Sequence, residues 1–151
     1  MKLNASSIRQ RLLKLEQYIG ELEKQHQVPF ETFRNDTTRQ LAVERAFQAA
    51  IESCTDIASH IVSTYQLGHP QESRDVYRFL MQAGYLDAAT CETMTDMVSL
   101  RNRIVHLYWD IDTARLYDYL GQDVEPLRAF RDFAIQVLTV DQELGTDAEP
   151  G

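Results

Sequence analysis

The chain has 151 residues, a length that favours one domain with a sizeable hydrophobic core. Six glycines, four prolines and a hydrophobic fraction of 44% argue against a loop-rich β fold. The formal net charge of −8 is unexpected for a protein that binds nucleic acid without a partner protein. Such a role would need a locally basic patch, a flexible substrate end or a basic partner.

Two long amphipathic helices are predicted in the first half of the chain. Asn4 can cap the first, which should end near His26, and Asp36 or Thr37 can cap the second, which should continue to about Tyr65. Apolar residues recur every three or four positions in both helices: Ile8, Leu12, Leu15, Ile19 and Leu22 in the first, and Val43, Phe47, Ala50, Cys54, Ile57 and Ile61 in the second. A modest loop joins the two helices, so we expect them to pair antiparallel.

The second half of the chain alternates between shorter helices and breaks. A short third helix should stop at Gly84, and a fourth helix should begin around Asp87. Residues 109–113 resemble a turn or a helix junction, and a short helix follows them. Gly121 is then predicted to break the chain again, and Asp123 can cap the last helix.

No segment alternates convincingly with a period of two, so the predicted fold is all-α: a helical bundle of four main helices plus short helices. We expect one domain over residues 1–140. Residues 141–151 contain acidic residues and no basic one, which predicts a disordered tail.

Several classes of site and of location have no support in the sequence. There is no GxGxxG motif, P-loop, HExxH motif or GxSxG elbow, so neither a cofactor nor a metal site is expected. No apolar run approaches ~18 residues, and the N-terminus lacks the apolar core of a signal peptide. We therefore expect a soluble, cytoplasmic protein with no membrane segment.

Four chemically active side chains lie within eight residues at the end of the fourth helix: Arg101, Asn102, His106 and Tyr108. At ~100° per residue Arg101 falls within an apolar stripe of that helix, and Asn102 and His106 are neighbours on its flank. A charge in an apolar face costs free energy unless it has a partner. The segment therefore indicates a functional site or an interface, and a homodimer seam along the fourth helix would account for both the stripe and the arginine.

These residue types suit metal-free cleavage of a phosphodiester whose own 2′-hydroxyl is the nucleophile. A guanidinium is a permanently charged fork for phosphate oxygens. An imidazole titrates near neutral pH and can take and give protons. The reaction requires proton transfer and stabilisation of the charge on the phosphate, and these two side chains can supply both.

Charged residues of the second helix have two interpretations. Glu44, Arg45 and Asp56 could form a solvated face with weak ion pairs. Alternatively, an acidic residue of this helix could pair with Arg101 or His106 across the bundle and support the site.

The spacing Arg101-x4-His106, with Asn102 next to the arginine, resembles the signature of HEPN domains. With Tyr108 the pattern becomes Arg-x4-His-x-Tyr, which is similar to the HepT toxin branch of that family. Two stretches carry the same resemblance: residues 42–61 and residues 101–112.

The resemblance implies a metal-independent ribonuclease toxin of a type VII-like toxin–antitoxin module, with RNA as substrate. It implies a homodimer whose two motifs face each other across a cleft. It also implies an antitoxin with a minimal nucleotidyltransferase (MNT) domain that transfers AMP to Tyr108. Arg101 and His106 would be catalytic, and Asn102 would orient or bind phosphate.

Two other functions remain open from the sequence. The bundle could be a non-enzymatic nucleotide- or substrate-binding subunit of a two-protein nucleotidyltransferase, in which the Arg–His cleft only holds a phosphate. It could also be a plain helical scaffold. RNA cleavage that depends on His106 would separate the first interpretation from both of these.

Overall fold

The computed structural model describes residues 2–106 and 112–148. Within these ranges the chain is all-α, with four long helices and three short ones, as the sequence predicts. The helices are α1 Ala5–His26, α2 Phe30–Arg34, α3 Thr37–Thr64, α4 Asp75–Gln82, α5 Ala88–His106, α6 Thr113–Gln122 and α7 Val124–Ala148. None of the described helices has the length and apolar character needed to span a membrane.

The helix starts are set by polar side chains that satisfy otherwise unpaired amides. Asn4, Asp36, Asp87 and Asp112 each accept a hydrogen bond from the backbone N–H three residues further on. The α4 helix ends before Gly84, whose φ of 85° is a conformation that glycine adopts without steric cost. The predicted starts at Asn4, Asp36 and Asp87 and the predicted stop at Gly84 are therefore confirmed.

The α3 helix is the centre of the bundle and contacts each of the other six helices. It pairs antiparallel with α1, as predicted. At one end of the pair the Asn4 backbone N–H donates to His60 Nε2 at 3.1 Å. At the other end Arg39 Nη1 donates to Gln25 Oε1 at 2.7 Å. This pairing fixes which faces of α1 and α3 meet, and it leaves a polar groove between them.

The short helices differ in two places from the sequence prediction. Phe30–Arg34 forms the helix α2 inside the segment predicted as a loop. It packs because Phe33 is fully buried. Gly121 does not break the chain, because α6 continues through it to Gln122. A glycine lowers helix stability by only about 1 kcal/mol, which tertiary packing readily offsets.

The predicted disordered tail does not begin at Asp141, because α7 continues to Ala148. Asp141 is itself buried. Its Oδ2 accepts a hydrogen bond from the Leu3 backbone N–H at 3.0 Å, and its Oδ1 accepts one from the Tyr65 hydroxyl at 2.7 Å. An acidic residue that satisfies two donors in this way belongs to the fold, which acidic composition alone does not reveal.

A half-buried carboxyl at the junction of α6 and α7 should make stability depend on pH. Burial, with a smaller contribution from the nearby Asp96 carboxylate, raises the pKa of Asp123 from 3.8 to about 6. The folded chain then binds more protons than the unfolded chain between about pH 4 and 6, so the free energy of unfolding falls as pH rises through this window. Asp123→Asn should raise that free energy by about 1 kcal/mol at pH 8, a value reduced for partial solvent screening.

Urea unfolding at pH 8 and pH 4 measures this effect. Most of the stabilisation by Asp123→Asn should be lost at the lower pH, where the carboxyl is protonated in the folded chain and partly protonated in the unfolded chain. Asp118→Asn, at an exposed position of α6, is the matched control and should change little at either pH. An equal gain for both variants would argue against desolvation of the Asp123 carboxyl as its cause.

Candidate functional site

Arg101 lies in the last part of α5 and forms an ion pair with Glu52 of α3. Its Nε donates to Glu52 Oε1 at 2.9 Å, and its Nη2 lies 2.7 Å from the same oxygen. The arginine side chain is 31% exposed and the glutamate side chain 35%. The Arg101 guanidinium, which lies within the apolar stripe of α5, therefore has an acidic partner in the same chain and is still partly exposed to solvent.

Two amide side chains extend this ion pair into a small network. Gln48 Nε2 donates to Glu52 Oε1 at 3.2 Å, and Arg101 Nη1 donates to Asn102 Oδ1 at 3.2 Å. Each Nη of a guanidinium carries two N–H groups. Arg101 is thus held in place by three contacts and keeps a second N–H on each Nη with which to bind a phosphate oxygen.

The apolar stripes of α5 pack inside the chain rather than on its surface. Their buried members within the described residues are Cys91, Met94, Met97, Val98, Leu100 and Ile104. The core therefore explains most of the stripe that the sequence analysis attributed to a dimer seam. Val105, beside the motif, is only half-buried and reaches the surface.

His106 is exposed and ends α5. It lies one helical turn after Asn102 and five residues after Arg101, which places it about 140° around the helix axis from the arginine. Within one chain, Arg101 faces α3 while His106 faces solvent. The predicted modification site, Tyr108, lies outside the described residues.

Glu44 and Arg45 of α3 lie close to the end of α5. Together with residues of both helices they line a surface groove of about 330 Å³, the α3–α5 groove, formed by Leu41, Glu44, Arg45, Gln48, Ile104 and Val105. Partial burial raises the pKa of the Glu44 carboxyl. These two predicted supporting residues are therefore placed beside the motif, although no ion pair links either of them to Arg101 in the described structure.

Asp56 lies one helical turn after Glu52 on the same side of α3, but it pairs with α1 rather than with Arg101. Its Oδ2 is 3.9 Å from Arg11 Nε of α1, and the side chains of Asp56 and Arg11 are 61% and 40% exposed. Asp56 is therefore not the acidic residue that pairs with Arg101 across the bundle. No group of three histidine, cysteine or acidic side chains placed to hold a metal ion occurs among the residues that the structure describes.

Glu52 contacts Arg101 but is absent from the set of candidate residues that the sequence predicts. An acidic residue of α3 pairs with Arg101, and it is Glu52 rather than Glu44 or Asp56. The signal was present in the spacing, because Arg45, Glu52 and Asp56 share one side of α3. Which of them meets α5 depends on the relative shift of the two helices, which periodicity does not determine.

We expect the Arg101–Glu52 pair to contribute modestly to stability. Its two contacts share one carboxylate oxygen and both partners are about one-third exposed. A double-mutant cycle of Arg101→Ala and Glu52→Gln, followed by urea unfolding, should give a coupling free energy of about 1 kcal/mol. The same cycle with Glu16→Gln, an exposed position of α1, should give no coupling. A coupling of zero for Glu52 would mean that the pair does not hold the arginine in solution.

Comparison with known proteins places this helical bundle, with its motif at the end of α5, among HEPN-like folds. The model of the Ribonuclease HepT-like family matches residues 15–133, a range that includes the whole of α5 and the segment 101–108. The chain belongs to the HepT-like ribonuclease family. The fold and the family expected from the motif are thereby confirmed.

Three relatives make the similarity specific. The mRNA nuclease HepT of Shewanella oneidensis is 34% identical over 100 residues, which cover 66% of this chain and 75% of the relative. The tRNA nuclease HepT of Aphanizomenon flos-aquae is 26% identical over 110 residues, covering 73% of this chain and 75% of the relative. A solved structure of the tri-AMPylated HEPN toxin of S. oneidensis in complex with MNT antitoxin superposes with a TM-score of 0.78 at 28% identity, covering 86% of this chain and 96% of the toxin.

Proposed function

We propose that the chain is the ribonuclease toxin of a toxin–antitoxin module and that it cleaves RNA without a metal ion. The observation that carries the proposal is the placement of Arg101, five residues before the exposed His106. Three intramolecular contacts hold its guanidinium at the surface, and N–H groups remain to bind a phosphate oxygen. The relatives named as mRNA and tRNA nucleases support RNA as the substrate class.

The proposed reaction is an internal transesterification. The substrate's 2′-hydroxyl oxygen attacks the adjacent phosphorus, and the bond from phosphorus to the 5′-oxygen breaks. His106 exchanges the protons, one leaving the 2′-hydroxyl and one reaching the 5′-oxygen. Arg101 stabilises the charge that develops on the phosphate oxygens, and Asn102 orients the guanidinium through its Oδ1. The products are a 2′,3′-cyclic phosphate and a 5′-hydroxyl.

A homodimer would complete this site. Because Arg101 and His106 point in directions about 140° apart on one helix, a phosphate held by both is reached more easily when each copy supplies one of them. The α3–α5 groove supports an interface at this place. Leu41 is 58% exposed there and lies beside the half-buried Val105.

The dimer is tested by placing a charge in this groove. Leu41→Glu should convert the dimer to a monomer in light scattering at micromolar concentration, because an unpaired charge in an apolar seam opposes association. Leu13→Glu is the matched control, since Leu13 is 66% exposed on α1 and should not affect association. A monomeric wild-type chain would contradict the proposal directly.

A mixture of inactive chains tests whether the two residues come from different copies. In a dimer of one Arg101→Ala chain and one His106→Ala chain, one composite site keeps both residues. Random re-association should restore about one quarter of wild-type activity, since half of the dimers are mixed and each has one of two sites. No recovery, with mixed dimers verified by mass, would place both residues of a site in one chain.

Cleavage of RNA by the purified chain, with end-group analysis of the products and the Arg101 and His106 variants in parallel, tests the catalytic proposal itself. Binding of RNA without any cleavage would instead favour a non-enzymatic nucleotide- or substrate-binding subunit.

We also propose that an MNT-type antitoxin controls the chain by transferring AMP to Tyr108. The similar solved structure, which contains an AMPylated toxin and an MNT antitoxin, supports this proposal.

A further inference from the structure

A polar groove of about 330 Å³ runs between α1 and α3, next to the Arg101–Glu52 pair. We name it the α1–α3 groove. Its lining residues are Gln10, Arg11, Lys14, Tyr18, Arg45, Ala49, Glu52, Ser53 and Asp56. Glu52 belongs both to this lining and to the ion pair with Arg101, so one end of a ligand in the groove would lie beside the candidate site.

Helical spacing explains why these side chains converge. Arg11, Lys14 and Tyr18 are three and four residues apart and form one stripe of α1. Arg45 and Glu52 are two turns apart on the facing side of α3, about 10 Å along the helix axis. The floor between the stripes contains the small buried residues of α3 in this lining, Ala49 and Ser53.

The charge balance of this groove is opposite to that of the whole chain. Both acids of the lining have basic partners, Glu52 in Arg101 and Asp56 in Arg11. Lys14 and Arg45 are exposed, and neither has an acidic partner among the described residues. A chain of net charge −8 therefore has a local excess of positive charge beside its candidate site.

We infer that the α1–α3 groove binds the sugar-phosphate backbone of single-stranded RNA adjacent to the phosphate that is cleaved. Lys14 and Arg45 supply the charge that phosphates require, and the half-buried Tyr18 ring offers a face on which a base can stack. Arg45 also lines the α3–α5 groove, so it connects the backbone track to the end of α5. The inference rests on the proposed function, in which RNA is the substrate.

The test measures binding separately from cleavage. A short 2′-O-methyl RNA oligonucleotide lacks the nucleophilic hydroxyl and remains intact, so fluorescence anisotropy reports its affinity alone. The double variant Lys14→Gln/Arg45→Gln should bind it roughly tenfold more weakly at 0.1 M salt than the wild-type protein. The slope of log K against log salt concentration should fall by about 0.7 for each phosphate contact that is lost.

Lys2→Gln/Lys24→Gln is the control, because it removes the same charge from exposed positions outside the groove. The control should keep the wild-type affinity and salt slope. Equal behaviour of the two double variants would overturn the inference, whether or not the chain cleaves RNA. Loss of antitoxin binding with unchanged RNA affinity would overturn it too, since the groove would then be a protein interface. Wild-type protein that binds through the groove but never cleaves RNA would refute the proposed function and leave the groove assignment standing.

Discussion

RNA cleavage by the purified His106→Ala variant is expected to be about 10²–10⁴-fold slower than by the wild-type chain, the usual contribution of a positioned acid or base. The His106 imidazole is exposed, and an imidazole can both accept and donate a proton. His69→Ala is the matched control, because His69 is exposed on the loop between α3 and α4, away from the motif. Undiminished cleavage by His106→Ala would eliminate this residue as the proton carrier.

Arg101→Ala should slow cleavage about 10²–10³-fold, because the developing charge on the phosphate loses its stabiliser. Arg101→Lys should recover little of this loss. A lysine keeps the charge but cannot contact Glu52 and Asn102 while it also presents a fork to the phosphate. If Arg101→Lys cleaved as fast as wild type, charge alone would suffice and the geometry around Glu52 would be irrelevant.

The products and the effect of a chelator test the same mechanism in another way. Attack by the substrate's own 2′-hydroxyl leaves a 2′,3′-cyclic phosphate, which end-group analysis by mass spectrometry detects. Cleavage should continue in EDTA, since the proposed chemistry uses an imidazole and a guanidinium. Complete loss in EDTA, or products that carry a 3′-hydroxyl, would refute this mechanism.

The starts of α1, α3 and α5 and the end of α4 were predictable because their causes are local. Asn4, Asp36 and Asp87 act as caps within one turn of chain, and Gly84 adopts a conformation that favours glycine wherever it occurs. The core positions of α1 and α3 follow equally from the three-to-four spacing of apolar residues. Local pattern was therefore enough for the fold class.

The features that sequence reasoning missed all depend on contacts between distant segments. Glu52 meets Arg101 across 49 positions of the chain. Asp141 meets Leu3 across 138 positions, and this contact makes part of an acidic tail into core structure. Neither of these two contacts can be predicted from the composition or from the spacing of apolar residues. The apolar stripe of α5 shows the same limit. Its spacing predicts that this face of the helix is buried, but not whether the core of the same chain or a second chain covers it.

The acidic balance of the chain is compatible with an RNA substrate because charge acts locally. At physiological ionic strength the Debye length is about 8 Å, so exposed carboxylates on remote faces are largely screened from a bound phosphate. What counts is the set of cations beside the site, namely Arg101, Arg45 and Lys14. The locally basic patch that the sequence analysis required is thus proposed to be the α1–α3 groove.

Control through Tyr108 is the second prediction with a large expected effect. Arg101 and Tyr108 are seven residues apart, so a continuing helix would place them on one stripe about two turns apart. AMP on the phenol oxygen would add a phosphate that can occupy the arginine's fork and an adenosine that blocks substrate entry. Activity would then fall by orders of magnitude without a change of fold.

Tyr108→Phe keeps the aromatic ring and removes the oxygen that would accept AMP. In bacteria that express an MNT-type partner, this variant should remain toxic while wild type is neutralised. Tyr85→Phe is the matched control, since Tyr85 is 41% exposed and should leave neutralisation unchanged. Mass spectrometry of wild-type protein incubated with such a partner and ATP should find AMP mass on the peptide that contains Tyr108. Modification of another residue, or full neutralisation of Tyr108→Phe, would refute this control mechanism while leaving the catalytic proposal for Arg101 and His106 untouched.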